Sequence, residues 1–234
     1  MFLQASSNDE KKAAALDDRT CDVSSFIVAE ANGVSHFPPR QPAAGQTIGS
    51  VRDSLRTATA EAHQALHRAT PFARIAAGEI DRQGYISLLR ALQRFHGTMA
   101  PFCRVACAAL GAPALLHYQV NRLDRLRRDL AFFGLAWPQP DNLPTEEAGE
   151  AFSIGCLYTV QGSSLGGGII HKQLGSFLPT AEGREFFQAT PEDGSLWRDF
   201  CTRLDYFGAD RLSEVEAGAA HAFDFFRICL ERSS

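Results

Sequence analysis

Between Gly162 and Gly168 the chain carries four glycines in seven residues, Gly162-Ser163-Ser164-Leu165-Gly166-Gly167-Gly168, inside a stretch that otherwise reads as helix. Upstream, Ala148, Ala151, Phe152, Ile154, Leu157 and Tyr158 suit a helix, with Glu146 and Glu147 in its opening turn and Thr145 expected as its N-cap. Downstream, Ile169, Ile170 and Leu174 continue an apolar stripe past His171. Each glycine inside a helix costs about 1 kcal/mol relative to alanine, so the cluster costs several. A chain that keeps such a cluster needs a bend there, or needs its backbone to approach something flat and close.

The rest of the chain from Ser50 onward is helical in pattern. Ser50 caps a first helix with Asp53 in its opening turn, and Leu55, Ala58, Ala62 and Leu66 form its apolar stripe. Thr70-Pro71 opens a short helix that ends before Gly78. Asp81 caps a long one bearing Tyr85, Leu88, Leu92, Phe95 and Met99, and Pro101 predicts a kink or break. Asn121 to Phe133 predicts a basic helix closed by Gly134, and Thr180 a short one through Phe187. Residues 194–207 and 213–232 complete the set, with Ser213 and Glu216 expected as a capping box. Alternating β-branched runs are hardly seen, so the predicted fold is all-α. Residues 1–48 show no sustained periodicity and hold the Pro-rich patch Phe37 to Pro42; they are expected to be a disordered or loosely ordered extension, with residues 49–234 forming the helical domain.

Composition narrows the function. A net charge of −4 with no basic stripe argues against binding nucleic acid. No apolar run is long enough for a membrane span, and the N-terminal residues lack the apolar stretch of a signal peptide. Six cysteines without a secretory signal read as free thiols, so the cytoplasm is the expected compartment. Cys103 and Cys107 lack a second Cys or His pair for zinc. No Gly-x-Gly-x-x-Gly follows a strand, so reducing equivalents would come from outside the chain.

Among seven histidines, His36, His96, His117 and His221 read as surface or satisfied core residues. His63 and His67 stand four apart on the first helix, which puts both rings on one face, as a metal-binding pair needs. The chain has no Glu-x-x-His, so a dinuclear carboxylate centre is disfavoured. A single imidazole beside an apolar stripe suits haem iron, and His63 lies one residue from Ala62 and three from Leu66. A helix bent at glycines, laid over the opposite haem face, would complement it.

These two elements resemble the haem oxygenases. Leu55-Arg56-Thr57-Ala58-Thr59-Ala60-Glu61-Ala62-His63 is similar to the proximal-helix signature of that family, and Gly162-Ser163-Ser164-Leu165-Gly166-Gly167 to its distal one. The likeness spans roughly Val51 to Arg232 and is greatest to the bacterial branch, including enzymes that supply bacteriophytochromes. It implies a haem oxygenase-like bundle with a kinked distal helix, in which haem is both substrate and cofactor. With O2 and electrons from a ferredoxin or an NADPH-dependent reductase, haem would be opened to biliverdin, CO and ferrous iron. It implies His63 as proximal iron ligand, Gly162 and Gly166 as close backbone contacts, and Gly167 as the kink. A bacteriophytochrome is the implied biliverdin acceptor.

Many members carry an aspartate after the first distal glycine, whereas this chain has Ser163, which can hold a water but not the same charge. Ser164 and backbone carbonyls freed by the kink are the candidate partners for the proton-delivering water. For the propionates the likeness points to Arg56, Tyr158, Arg198 and Arg203; the plain reading of Arg56 is a solvated surface arginine. Phe200, Phe207 and Phe223 read as pocket wall or as core. The run Arg122, Arg125, Arg127 and Arg128 reads as a solvated helix face, with docking of an acidic electron-transfer partner as the sharper alternative. Two other readings keep the architecture and drop the chemistry. One is a non-catalytic haem-handling protein, the other a haem-free relative of the thiamin-salvage hydrolases.

Overall fold

The first helix starts where its cap says it should. In the computed structural model, which describes residues 50–137 and 148–233, the Ser50 hydroxyl accepts the Asp53 N–H at 3.1 Å and opens α1, Val51–Arg68. The expected extension, and Thr145 with Glu146 and Glu147, lie outside the described residues. The short α2, Thr70–Ala76, carries Pro71 in its first turn, where the missing N–H has no helical partner to lose. Asp81 Oδ1 accepts the Gly84 N–H at 2.7 Å and opens α3, Arg82–Ala109. This helix runs through Pro101 without ending, so the expected break does not occur there.

Four further elements differ from the sequence reading, the first being the Gly-rich helix, which opens at Glu150 with Gly149 as its N-cap and leaves Ala148 outside it. The basic helix α4, Pro113–Phe132, starts eight residues before Asn121, because Pro113 supplies a preset first turn directly after the left-handed Gly111. No α-helix forms from Thr180 to Phe187; Gly183 at φ +82° turns the chain, and only a single tight turn, Glu185–Phe187, follows. That turn is pinned by Asp129 of α4, whose carboxylate accepts the Glu185 and Phe186 N–H groups at 2.8 Å each. The capping box at Ser213 is absent: α8, Leu212–Glu231, begins before Ser213, and Arg211 pairs with Glu214 at 2.9 Å instead.

The central helix is α5, Glu150–Leu165, in which Ser153 to Gln161 are buried without interruption. A helix apolar on every side belongs inside a bundle, and α5 packs against α3 and α8 with α7, Asp193–Gly208, alongside. Its crossing with α8 is backbone against backbone. A Cβ at Gly155 would lie 1.9 Å from the Val215 carbonyl oxygen, and one at Gly218 would lie 1.9 Å from that of Phe152. Around this crossing the Cys156 thiol and the Thr159 hydroxyl reach the carbonyls of Gly218 and Ala219 at 3.4 and 3.2 Å. Among the described residues there is no strand, and no helix is long and apolar enough to cross a membrane.

Candidate functional site

Val51, Leu55 and Thr59 make the buried face of α1, one residue per turn, and His63 and His67 are the next two positions on that line. Thr59 lies beside Tyr158 of α5. Burial raises the Tyr158 phenol above its ordinary value, and the Thr59 hydroxyl and the Arg52 and Arg56 cations oppose it. The direction of α1 follows from α7. At one end the Arg52 N–H donates to Asp205 Oδ1 at 3.2 Å; at the other the Trp197 indole packs on Tyr158, centroids 5.7 Å apart, and faces Gly162. α1 therefore runs from the Asp205 end of α7 towards its Trp197 end, where Tyr158 and Gly162 of α5 also lie. The turn beyond the Thr59–Tyr158 contact carries His63 on one helix and Gly162 on the other.

His63 is half-buried, with the Phe223 ring edge-on to it at 6.3 Å. Burial lowers its pKa, and neighbouring His67 pushes in the same direction, so the neutral, metal-ligating form is favoured at neutral pH. The helix opposite breaks as the glycines predict. α5 stops at Leu165, Gly166 forms the joint, and α6, Gly167–Gln173, departs from it. The glycines divide by what a Cβ would meet. At Gly166 it would meet nothing within 4 Å, and at Gly162 only the Trp197 ring at 3.7 Å. At Gly167 it would lie 3.0 Å from the Phe187 carbonyl oxygen. Gly167 is thus a packing glycine seated on the turn that Asp129 holds, whereas Gly166 presents bare backbone to space and Gly162 meets only the Trp197 ring.

Ser163 is exposed and its hydroxyl donates to the Val160 carbonyl at 2.7 Å; the buried Ser164 hydroxyl donates to Gln161 at the same distance. Behind them lies a polar layer that sequence reading missed. Arg122 is 4% exposed, donates to the Val160 carbonyl at 3.2 Å and lies over the Phe186 ring at 4.6 Å. Gln119 donates to the Gln161 side-chain carbonyl, and the Tyr118 hydroxyl donates to Asp193 at 2.7 Å. The spacing of Tyr118, Gln119 and Arg122 along α4 was the available signal, hidden because the predicted helix began too late. Of the basic run only Arg122 leaves the solvated face: Arg127 and Arg128 are exposed, the one over Trp137 at 4.9 Å and the other paired with Glu185 at 2.8 Å, and Arg125 bonds the Gln188 carbonyl at 3.0 Å at the surface.

The candidate propionate contacts separate too. Arg56 is exposed, 3.5 Å from Asp53 and on the Tyr158 side of α1. Arg198 is exposed near the start of α7. Arg203 is committed elsewhere. It donates to the Leu110 and Gly111 carbonyls at 2.8 and 3.1 Å and pairs with Asp199 at 2.8 Å, clamping the α3–α4 turn. A separate groove of about 590 Å³ between α1, α2 and α8, edged by Ala62, Leu66, Phe223 and Arg227, includes neither histidine nor any α5 residue. It contains none of the α5 glycines.

A family model described as Heme oxygenase matches residues 50–232. A curated heme oxygenase of Xanthomonas campestris pv. campestris (strain 8004) is 31% identical over 157 residues, covering 65% of this chain and 92% of the relative. Among solved structures, the NO- and CO-bound heme oxygenase of Neisseria meningitidis aligns at TM-score 0.66 and 24% identity, over 79% of this chain and 92% of that one. The heme oxygenase of Leptospira interrogans aligns at TM-score 0.67 and 19% identity, over 79% and 100%. Those two show the all-α fold that the sequence predicted. With the family match running from the Ser50 cap to Arg232, through both His63 and the broken α5, the chain belongs to the heme oxygenase family.

Proposed function

We propose that this protein is a biliverdin-forming haem oxygenase, cleaving haem with O2 and external electrons to biliverdin, CO and ferrous iron, with His63 as the axial ligand. The observation that carries the reading is the pairing of a half-buried, neutral imidazole on α1 with a Cβ-free helix joint at the same end of α5. The residues fit the group. Haem is flat, and Gly166 leaves room for a flat face where any side chain would intrude. Haem, when bound, supplies iron for dioxygen chemistry and is itself the macrocycle that opens.

The chain's own residues then have separable tasks. His63 would hold the iron, with the Phe223 ring edge-on beside its imidazole. Gly162 and Gly166 would offer backbone to the bound macrocycle, and Gly167 fixes the joint by resting on Phe187. Both serine hydroxyls give their protons to helix carbonyls, so each offers lone pairs that accept from a water. Ser163, the exposed one, is therefore assigned to hold a water in place of the aspartate of other members. Arg56 and Tyr158 lie together on one rim and Arg198 on α7; these are the groups assigned to the propionates, and Arg203 is left to the α3–α4 turn. Electrons arrive from a separate ferredoxin or reductase, and a bacteriophytochrome is the class of acceptor for the product.

The test is a haem titration followed by ascorbate or a ferredoxin system. Loss of the Soret band with growth of a biliverdin spectrum is expected. A complex that stays intact under reductant and O2 would make the protein a haem carrier instead. His63→Ala is expected to lose the axial-imidazole spectrum and turnover while keeping its helix content. An unchanged spectrum would remove His63 from the iron.

A further inference from the structure

The Nε2 atoms of His63 and His67 lie 3.2 Å apart, with ring centroids at 4.4 Å and planes at 76°. That separation has a specific chemical meaning. Two imidazole nitrogens at a metal–nitrogen distance of about 2.05 Å, spanning 3.2 Å, subtend about 100° at the metal. The angle falls between the octahedral and tetrahedral values, so the spacing suits one cation in place of the hydrogen bond that joins the two nitrogens. The helix supplies the register, because residues four apart on α1 are neighbours on one face.

We propose that the haem-free protein binds a single divalent transition-metal ion, of the Zn2+, Co2+, Ni2+ or Cu2+ class, chelated by His63 and His67. Imidazole nitrogens favour these ions over Ca2+ and Mg2+. Among the described residues no group of three His, Cys, Asp or Glu side chains converges, so water completes the coordination. His67 is exposed, which gives the ion a direct path in, while half-burial of His63 limits how far the pair can splay. Because His63 is also the residue assigned to haem iron, the divalent ion and haem are alternatives at this position; this second part rests on the haem reading above. The consequence is regulatory: free transition metal holds the protein in a form that has lost its axial ligand to haem.

The experiment uses the full haem-free chain and Co2+ as an optical probe, with the double variant His63→Ala/His67→Ala as baseline. Wild type is expected to bind one equivalent with a ligand-field band, and either single substitution to weaken binding by about ten-fold or more. His67 is exposed, so His67→Ala retains the fold, checked by its helical circular dichroism. Wild-type binding no tighter than the double variant's, or a His67→Ala variant that binds as tightly as wild type, overturns the site. In a second arm haem is titrated with and without saturating Zn2+. Zn2+ is expected to weaken haem binding to wild type and not to His67→Ala. A His67-dependent metal site that leaves haem affinity unchanged overturns the exclusion alone. Failure of the haem reading shows up separately, as an unchanged haem spectrum in His63→Ala.

Discussion

The two halves of α5 use glycine for opposite reasons. In the first half Gly155 faces α8 with no space at all, and together with Gly218 it lets two backbones touch. In the second half Gly166 faces open space, and Gly162 meets only the edge of Trp197 at ordinary contact distance. The first glycine is needed because the protein itself fills the volume. The others lie where the proposed function puts the ligand. Helix propensity penalises both alike, so the difference lies wholly in what surrounds each Cα.

The sharpest way to break this contrast is to add one methyl group at each place and measure unfolding in urea. Gly155→Ala, or Gly218→Ala, places a carbon where a carbonyl oxygen 1.9 Å away already sits, so α5 and α8 must separate. We expect a loss of about 3 kcal/mol or more, with haem binding lost as a consequence of the shifted helices. If either variant is as stable as wild type, the crossing is looser than described and the contrast fails.

Next in size is the support beneath the joint. Asp129→Asn keeps one carboxylate-like acceptor for two N–H donors, and leaving one of these buried donors unpaired costs about 1–3 kcal/mol. Burial raises the Asp129 carboxyl from its ordinary value to about 7 despite both bonds. A carboxyl raised in the folded state stabilises fully below its unfolded value of about 4, and that contribution disappears as pH rises through about 7. Wild-type stability should therefore fall across that interval by more than the variant's. Parallel pH curves for the two proteins would mean that Asp129 titrates as it does when unfolded.

Gly167→Ala sharpens the comparison from between the extremes. Its Cβ would sit 3.0 Å from the Phe187 carbonyl, so the turn must yield by a few tenths of an ångström, at about 1 kcal/mol. The smallest stability effect belongs to Gly166→Ala, which has room and a right-handed backbone at φ −82°. We expect stability within about 1 kcal/mol of wild type, on the favourable side if anything, since alanine is the better helix former. Haem turnover should nonetheless fall, because the added methyl lies on the face assigned to the ligand. A Gly166→Ala variant with full turnover would move the distal contact to another part of α5.

Much of this was legible in the chain. The Ser50 and Asp81 caps, the Thr70-Pro71 start and the break within Gly162 to Gly168 are local events, governed by residues within a few positions of one another, and each appears where the sequence put it. The misreadings that touch the site arose where a distant partner decides. Thr180 to Phe187 has helix-compatible residues, but Gly183 adopts φ +82° and Asp129, more than fifty positions away, takes the N–H groups of the following turn. Arg122 reads as one more surface cation until Phe186 and the Val160 carbonyl close over it. Arg203 reads as a ligand contact until the α3–α4 turn is found in its grasp.

By itself, then, the sequence determined an all-α chain with an imidazole at one turn of its first helix and a helix that must break at its glycines. Periodicity, caps and the cost of glycine act over a turn or two, so these needed nothing beyond the local order of residues. Only the tertiary structure decided which glycines face packed backbone and which face space, and that His63 and Gly162 share one end of the bundle. Those facts depend on how α7 and α8 set α1 and α5 against each other. Helix crossings are fixed by contacts between residues far apart in the chain, and local sequence does not encode them.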